Sequence, residues 1–84
     1  MKFCLITFRS VTPAQRAESV LHRAGFECNV QRTPRWMEEQ GCGYSLRVKF
    51  PDVMRCVELL HRNAVSFRKV YLLKEKGTVE ELAV

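Results

Sequence analysis

Apolar and polar positions along this chain alternate between a period of two and a period near 3.6, and each switch marks an element boundary. From Lys2 to Phe8 both alternating sets are apolar: Phe3 and Leu5 with Thr7, against Cys4, Ile6 and Phe8. That pattern predicts a central strand covered on both sides. Ala14, Ala17, Val20, Leu21 and Ala24 then recur at helical spacing. They predict a helix from Pro13 to about Ala24, capped by Ser10 or Thr12 and stopped by Gly25. Phe26, Cys28 and Val30 alternate with Glu27, Asn29 and Gln31, a second strand with one wet face. Arg32 to Gly43 reads as a long connection, with Pro34 and two glycines in it.

Tyr44, Leu46, Val48 and Phe50 alternate with Ser45, Arg47 and Lys49, the cleanest strand in the chain. Pro51-Asp52 opens a second helix to about Asn63, with Val53, Cys56, Val57 and Leu60 on one face. Phe67 to Leu73 forms the last strand. Thr78 and Glu81 have the spacing of a capping box, which predicts a helical tail over 78–84.

The order is β-α-β-β-α-β within a single domain, residues 1–84. It predicts an α+β, ferredoxin-like sandwich: a four-stranded antiparallel sheet with two helices on one face. Right-handed crossovers put the first and third strands together at the centre. The other sheet face is expected to be open and to favour a homodimer.

Composition narrows the function. The apolar share of 46% is that of a globular protein. No apolar run suffices to span a bilayer, and the N-terminus lacks a signal-peptide pattern, so no membrane role and a cytoplasmic location are expected. A charge of +5, from 14 basic and 9 acidic residues, suits RNA, an anionic ligand or an acidic partner. Cysteines stand at 4, 28, 42 and 56 without a Cys-x-x-Cys pair, and His22 and His61 fall in helices. No metal, no cofactor and no disulfide framework are expected on that spacing. Cys28 and Cys56 fall on buried faces.

Cys42 is different. It lies between Gly41 and Gly43, just before the third strand. Antiparallel pairing brings that point beside the end of the first strand, hence toward Arg9, Ser10 and the amino end of the first helix. A helix start with nearby cations, Arg9, Arg35 and Arg47 among them, lowers a thiol's pKa. The flanking glycines leave room for a donor to approach. No histidine falls nearby, which argues against a Cys-His hydrolase.

Thr33-Pro34-Arg35, Cys42-Gly43 and Ser45-Leu46-Arg47-Val48 resemble the putative Se/S carrier-like family of small bacterial proteins. Phe8-Arg9-Ser10 running into Ala14, Ala17 and Glu18 is similar to that family's opening pattern. The resemblance implies a sulfur or selenium carrier acting through a thiolate or persulfide at Cys42. It implies supporting, anion-binding roles for Gly43, Arg35, Ser10 and Arg9, and donor and acceptor proteins as partners. Such a protein is a carrier rather than a conventional enzyme. The chain departs from the family in Glu38-Glu39-Gln40-Gly41, where serines are usual and where two acids would oppose thiolate formation, and in Arg9, where histidine is usual.

Two other readings start from the same fold. An RNA-binding module would stack bases on Phe3, Tyr44, Phe50 and Phe67, but the Gly-Phe-aromatic signature of such sheets is missing. A regulatory or oligomerising module would leave Cys42 inert and use the open sheet face.

Overall fold

The computed structural model describes residues 2–33, 43–74 and 78–83. Its elements are β1 (Phe3–Phe8), α1 (Val11–Arg23), β2 (Cys28–Arg32), β3 (Tyr44–Lys49), a 3-10 turn (Phe50–Asp52), α2 (Val53–Arg62), β4 (Val70–Leu73) and β5 (Val79–Leu82). The expected β-α-β-β-α-β order is present, and a further strand follows it. All pairings are antiparallel, in the order β2-β3-β1-β4-β5. β1 is central, as its doubly apolar pattern requires: Cys4, Leu5, Ile6 and Phe8 are all buried.

Two expectations change here. The sheet has five strands, not four, and the tail is β5 rather than a helix. The free edge of β4 offers backbone groups that need partners, and the tail supplies them. Lys74 N–H donates to Thr78 O at 2.9 Å, closing the hairpin. Lys74 to Glu80 at 2.6 Å and Lys69 to Glu81 at 3.4 Å pair charges across it. Thr78 therefore precedes a strand that contains Glu81, and the two do not form a capping box.

Helix boundaries move for local reasons. Ser10 is the N-cap of α1, so Pro13 is the third helical residue rather than the first. Its missing N–H costs nothing there, because first-turn amides have no partner inside the helix. Ala14, Ala17 and Leu21 of α1 and Val53, Cys56, Val57 and Leu60 of α2 are buried, the stripes the spacing predicts. Both helices end in the same motif. At α1, Gly25 N–H reaches His22 O and Phe26 N–H reaches Leu21 O, both at 3.0 Å, with Gly25 at φ +89°. At α2, Ala64 N–H reaches His61 O at 3.1 Å and Val65 N–H reaches Leu60 O at 2.9 Å, with Ala64 at φ 55°. These are Schellman ends, and Ala64 takes a left-handed position that glycine usually fills.

The core lies between the helices and one sheet face: Cys4, Ile6, Phe8, Cys28, Leu46, Val48, Val70 and Leu72 meet α1 and α2. Tyr44 and Phe67, two of the aromatics a base-stacking surface would use, pack against this core instead. The opposite face carries Phe3, Leu5 and Thr7 of β1 beside Lys49, Arg47 and Ser45 of β3. It is less open than expected, since Leu5, Thr7 and Ser45 are buried. No helix among the described residues is long and apolar enough to cross a membrane.

Candidate functional site

Four chain segments converge at one end of the sheet. Phe8, the last residue of β1, pairs with Tyr44, the first of β3, and Tyr44 also pairs with Arg32, the last of β2. One step further, Thr33 N–H donates to Gly43 O at 2.9 Å. On the other flank of β1, Arg68 N–H donates to Thr7 O at 2.7 Å. α1 begins at the same end. Arg9 and Gly43 are therefore each one residue beyond the Phe8–Tyr44 pair, and Ser10 follows at once as the helix cap. Of the sequence-predicted site, Arg9 and Ser10 are exposed and Gly43 is buried. Cys42 and Arg35 lie outside the described residues; Cys42 is bonded to Gly43 and Arg35 is two residues past Thr33.

The electrostatics of this end favour an anion. Ser10 is extended, at φ −149° and ψ 173°, and its side chain makes no capping bond to the first-turn amides. No acidic residue stands in that turn. Among the described residues, the first-turn amides and the positive end of this 13-residue helix thus have neither a side-chain cap from Ser10 nor an acid in the first turn. Arg9, Arg32 and Arg68 stand at this end of the sheet by backbone pairing, with the Arg32 guanidinium 5.8 Å from the centre of the Tyr44 ring, while Lys69 is paired with Glu81 at 3.4 Å. Arg47 does not belong to this group. Its guanidinium lies 3.9 Å from the Phe3 ring centre, stacked on the face away from the helices and further down the sheet.

The other three thiols are withdrawn from chemistry. Cys4, Cys28 and Cys56 are buried. Burial pushes Cys4 up to about 11, and burial with Glu18 nearby pushes Cys28 up to about 11. Burial, with Asp52 and the other two sulfurs adding to it, pushes Cys56 up to about 12. A thiol so raised holds almost no thiolate at neutral pH, and the thiolate is the nucleophile. His22 is occupied in structure, its Nε2 3.0 Å from Cys28 O. Among the described residues, no group of three or more His, Cys, Asp or Glu side chains could hold a metal.

Thr33 and Ser45 enter the sequence reading only as motif residues, and their burial was not expected. Among the described residues, Thr33 Oγ1 and Ser45 Oγ are buried with no hydrogen-bond partner. Ser45 is 0% exposed and Thr33 8%, on the two strands that meet at Gly43. A buried hydroxyl left without a protein or water partner costs about 1–3 kcal/mol, which makes these two positions the ones to probe at this end. Alternation put Ser45 in the polar set of β3 and hence in water. The available signal was its register opposite Thr7, a second hydroxyl on a buried central strand.

No curated protein matches the chain. Over residues 3–72, from β1 nearly to the end of β4, the chain matches the family described as "Putative Se/S carrier protein-like". β5 lies beyond the matched range. By that match, this chain belongs to the Se/S carrier protein-like family.

Proposed function

We propose that this ferredoxin-like protein carries sulfur or selenium on Cys42, taking it from a donor and passing it to an acceptor protein. The thiolate of Cys42 attacks the transferable sulfur of the donor. A sulfur–sulfur bond forms, the donor's bond to that atom breaks, and the electron pair leaves with the donor. The acceptor's nucleophile later attacks the outer atom, and Cys42 departs as thiolate. Selenium follows the same electron count. Neither step calls for a metal or cofactor.

The observation that carries this reading is the position of Gly43, the residue bonded to Cys42, one step past a strand pair whose other member leads directly into Arg9 and α1. A helix start with no acid in its first turn and a neighbouring arginine in sequence favour the thiolate before loading and the persulfide anion after it. Arg35 and Ser10 are assigned supporting roles by their sequence positions. A reducing cytoplasm, where free thiols persist, suits the chemistry.

The test is intact-mass spectrometry after incubation with a persulfide donor. The carrier reading expects a reductant-labile addition of one sulfur, absent from Cys42→Ser. No labile addition, or one that survives in Cys42→Ser, would overturn it. The reading of a non-catalytic dimerising module draws on half-buried Phe3, Leu73 and Val79, which share a sheet face in register. It predicts a dimer and no loading.

A further inference from the structure

An open cleft of about 510 Å³ lies where β1 ends and β4 begins, lined by Arg9, Ser66, Phe67, Arg68 and Lys69. Three of these residues are cations, one offers a hydroxyl, and none is acidic. Successive residues of a regular strand point to opposite faces, so Arg68 and Lys69 should not share a cleft. They share it because two residues here oppose one. Arg68 N–H donates to Thr7 O at 2.7 Å, while Thr7 N–H donates to Lys69 O at 2.8 Å. Lys69 N–H turns to the Thr7 side chain, at 3.0 Å from Oγ1. This is the arrangement of a β-bulge, a device that re-aims side chains beside functional sites. Phe67 supplies an apolar wall held against His61, ring centres 5.3 Å apart.

We propose that this cleft binds the oxyanion head of a small chalcogen donor, a tetrahedral dianion of the thiosulfate type. The inference rests on the carrier reading for its purpose, and on the cleft alone for its binding. Guanidinium groups match tetrahedral oxyanions with paired donors, and an ammonium adds a point charge. Lys69 also meets Glu81 at 3.4 Å, so Arg9 is assigned the principal contact. Arg9 follows the end of β1, whose flanks are the Arg68–Lys69 bulge before β4 on one side and Gly43 before β3 on the other. In the reaction, the Cys42 thiolate bonds to the outer sulfur of thiosulfate and the sulfur–sulfur bond of the donor breaks. Sulfite leaves with the electron pair, so charge and atoms balance without an added oxidant.

The experiment titrates sodium sulfate, at constant ionic strength, into the folded protein and follows backbone amides by NMR. A parallel assay measures sulfur loading from thiosulfate by mass. The cleft predicts saturable shifts at Arg9 and residues 66–69, weakened about fivefold or more by Arg9→Gln and unchanged by Arg55→Gln on α2. Half-saturating thiosulfate for loading should rise by a similar factor in Arg9→Gln. Shifts that are unsaturable, spread over all cationic residues, or equally weakened by Arg55→Gln would overturn the cleft. So would shifts at these residues with single-stranded RNA but none with sulfate. Cys42→Ser must keep sulfate binding. Sulfate binding without any loading would sink the carrier reading and leave the cleft standing. Loading from a protein persulfide without sulfate binding would do the reverse.

Discussion

Thr7 and Lys69 are joined through both backbone and side chain: the Thr7 hydroxyl accepts from Lys69 N–H at 3.0 Å and lies 3.2 Å from Lys69 O, to which it donates. Thr7 is only 3% exposed, so the Lys69 amide has a protein acceptor where water has little access. This pair holds the bulge that turns Arg68 and Lys69 toward one cleft. Thr7→Val keeps the shape and removes the acceptor. It should cost about 1–3 kcal/mol in urea unfolding, with faster hydrogen exchange at the Lys69 amide. Thr7→Ser should retain most of the stability. Equal stability of Thr7→Val and the parent protein would mean that the hydroxyl does not hold the bulge.

The two helix ends make an opposed pair of predictions. Ala64 takes φ 55°, where an L side chain crowds its own backbone, so Ala64→Gly should stabilise the fold by about 1 kcal/mol. Gly25 sits at φ +89°, with nothing within 4 Å of where a β-carbon would stand. Gly25→Ala should therefore destabilise the fold by about 1 kcal/mol through backbone strain alone. Thermal melts of both variants check the signs.

Ser45 gives a third. Its buried hydroxyl has no partner among the described residues, so Ser45→Ala removes an unpaired polar atom rather than a bond. Stability should hold or rise by up to about 1–2 kcal/mol. A loss of more than that in chemical denaturation would show that the hydroxyl is bonded in solution.

The buried thiols set an alkaline limit. Their folded pKa values, about 11 to 12, lie above the ordinary value of 9.0. Below pH 9 both folded and unfolded chains keep these protons, and the full stability is present. Above it the unfolded chain loses protons first, so stability falls as pH climbs from 9 toward 11–12. The urea midpoint should drop across that window, and Cys56→Val should make the drop shallower. Identical slopes in the two proteins would contradict the linkage.

Much of the frame was legible because periodicity reports burial directly. The stripe Val53, Cys56, Val57 and Leu60 and the alternation of Tyr44, Leu46 and Val48 both sit where their spacing puts them. β5 was not legible: Val79-Glu80-Glu81-Leu82 is too short and too acidic to announce a strand, and only the edge of β4 makes it one. The cleft was invisible for a related reason. Arg68 and Lys69 meet there through a bulge, and no pattern of period two encodes an inserted residue. At the candidate site, chain order was enough to bring Gly43 near Arg9, but the unpaired hydroxyls of Thr33 and Ser45 depend on burial that no single strand's sequence reveals.

The reactivity of the Cys42 sulfur against pH is the most direct measurement of its carrier role. Native protein is alkylated with iodoacetamide from pH 5 to 9, and each cysteine is quantified by peptide mass mapping. Cys42 is expected to react first at neutral pH, with a midpoint at least about one unit below the roughly 8.5 of a free thiol, while Cys4, Cys28 and Cys56 react only on unfolding. A Cys42 midpoint at or above about 8.5, or modification of the buried cysteines at a comparable rate, would contradict it.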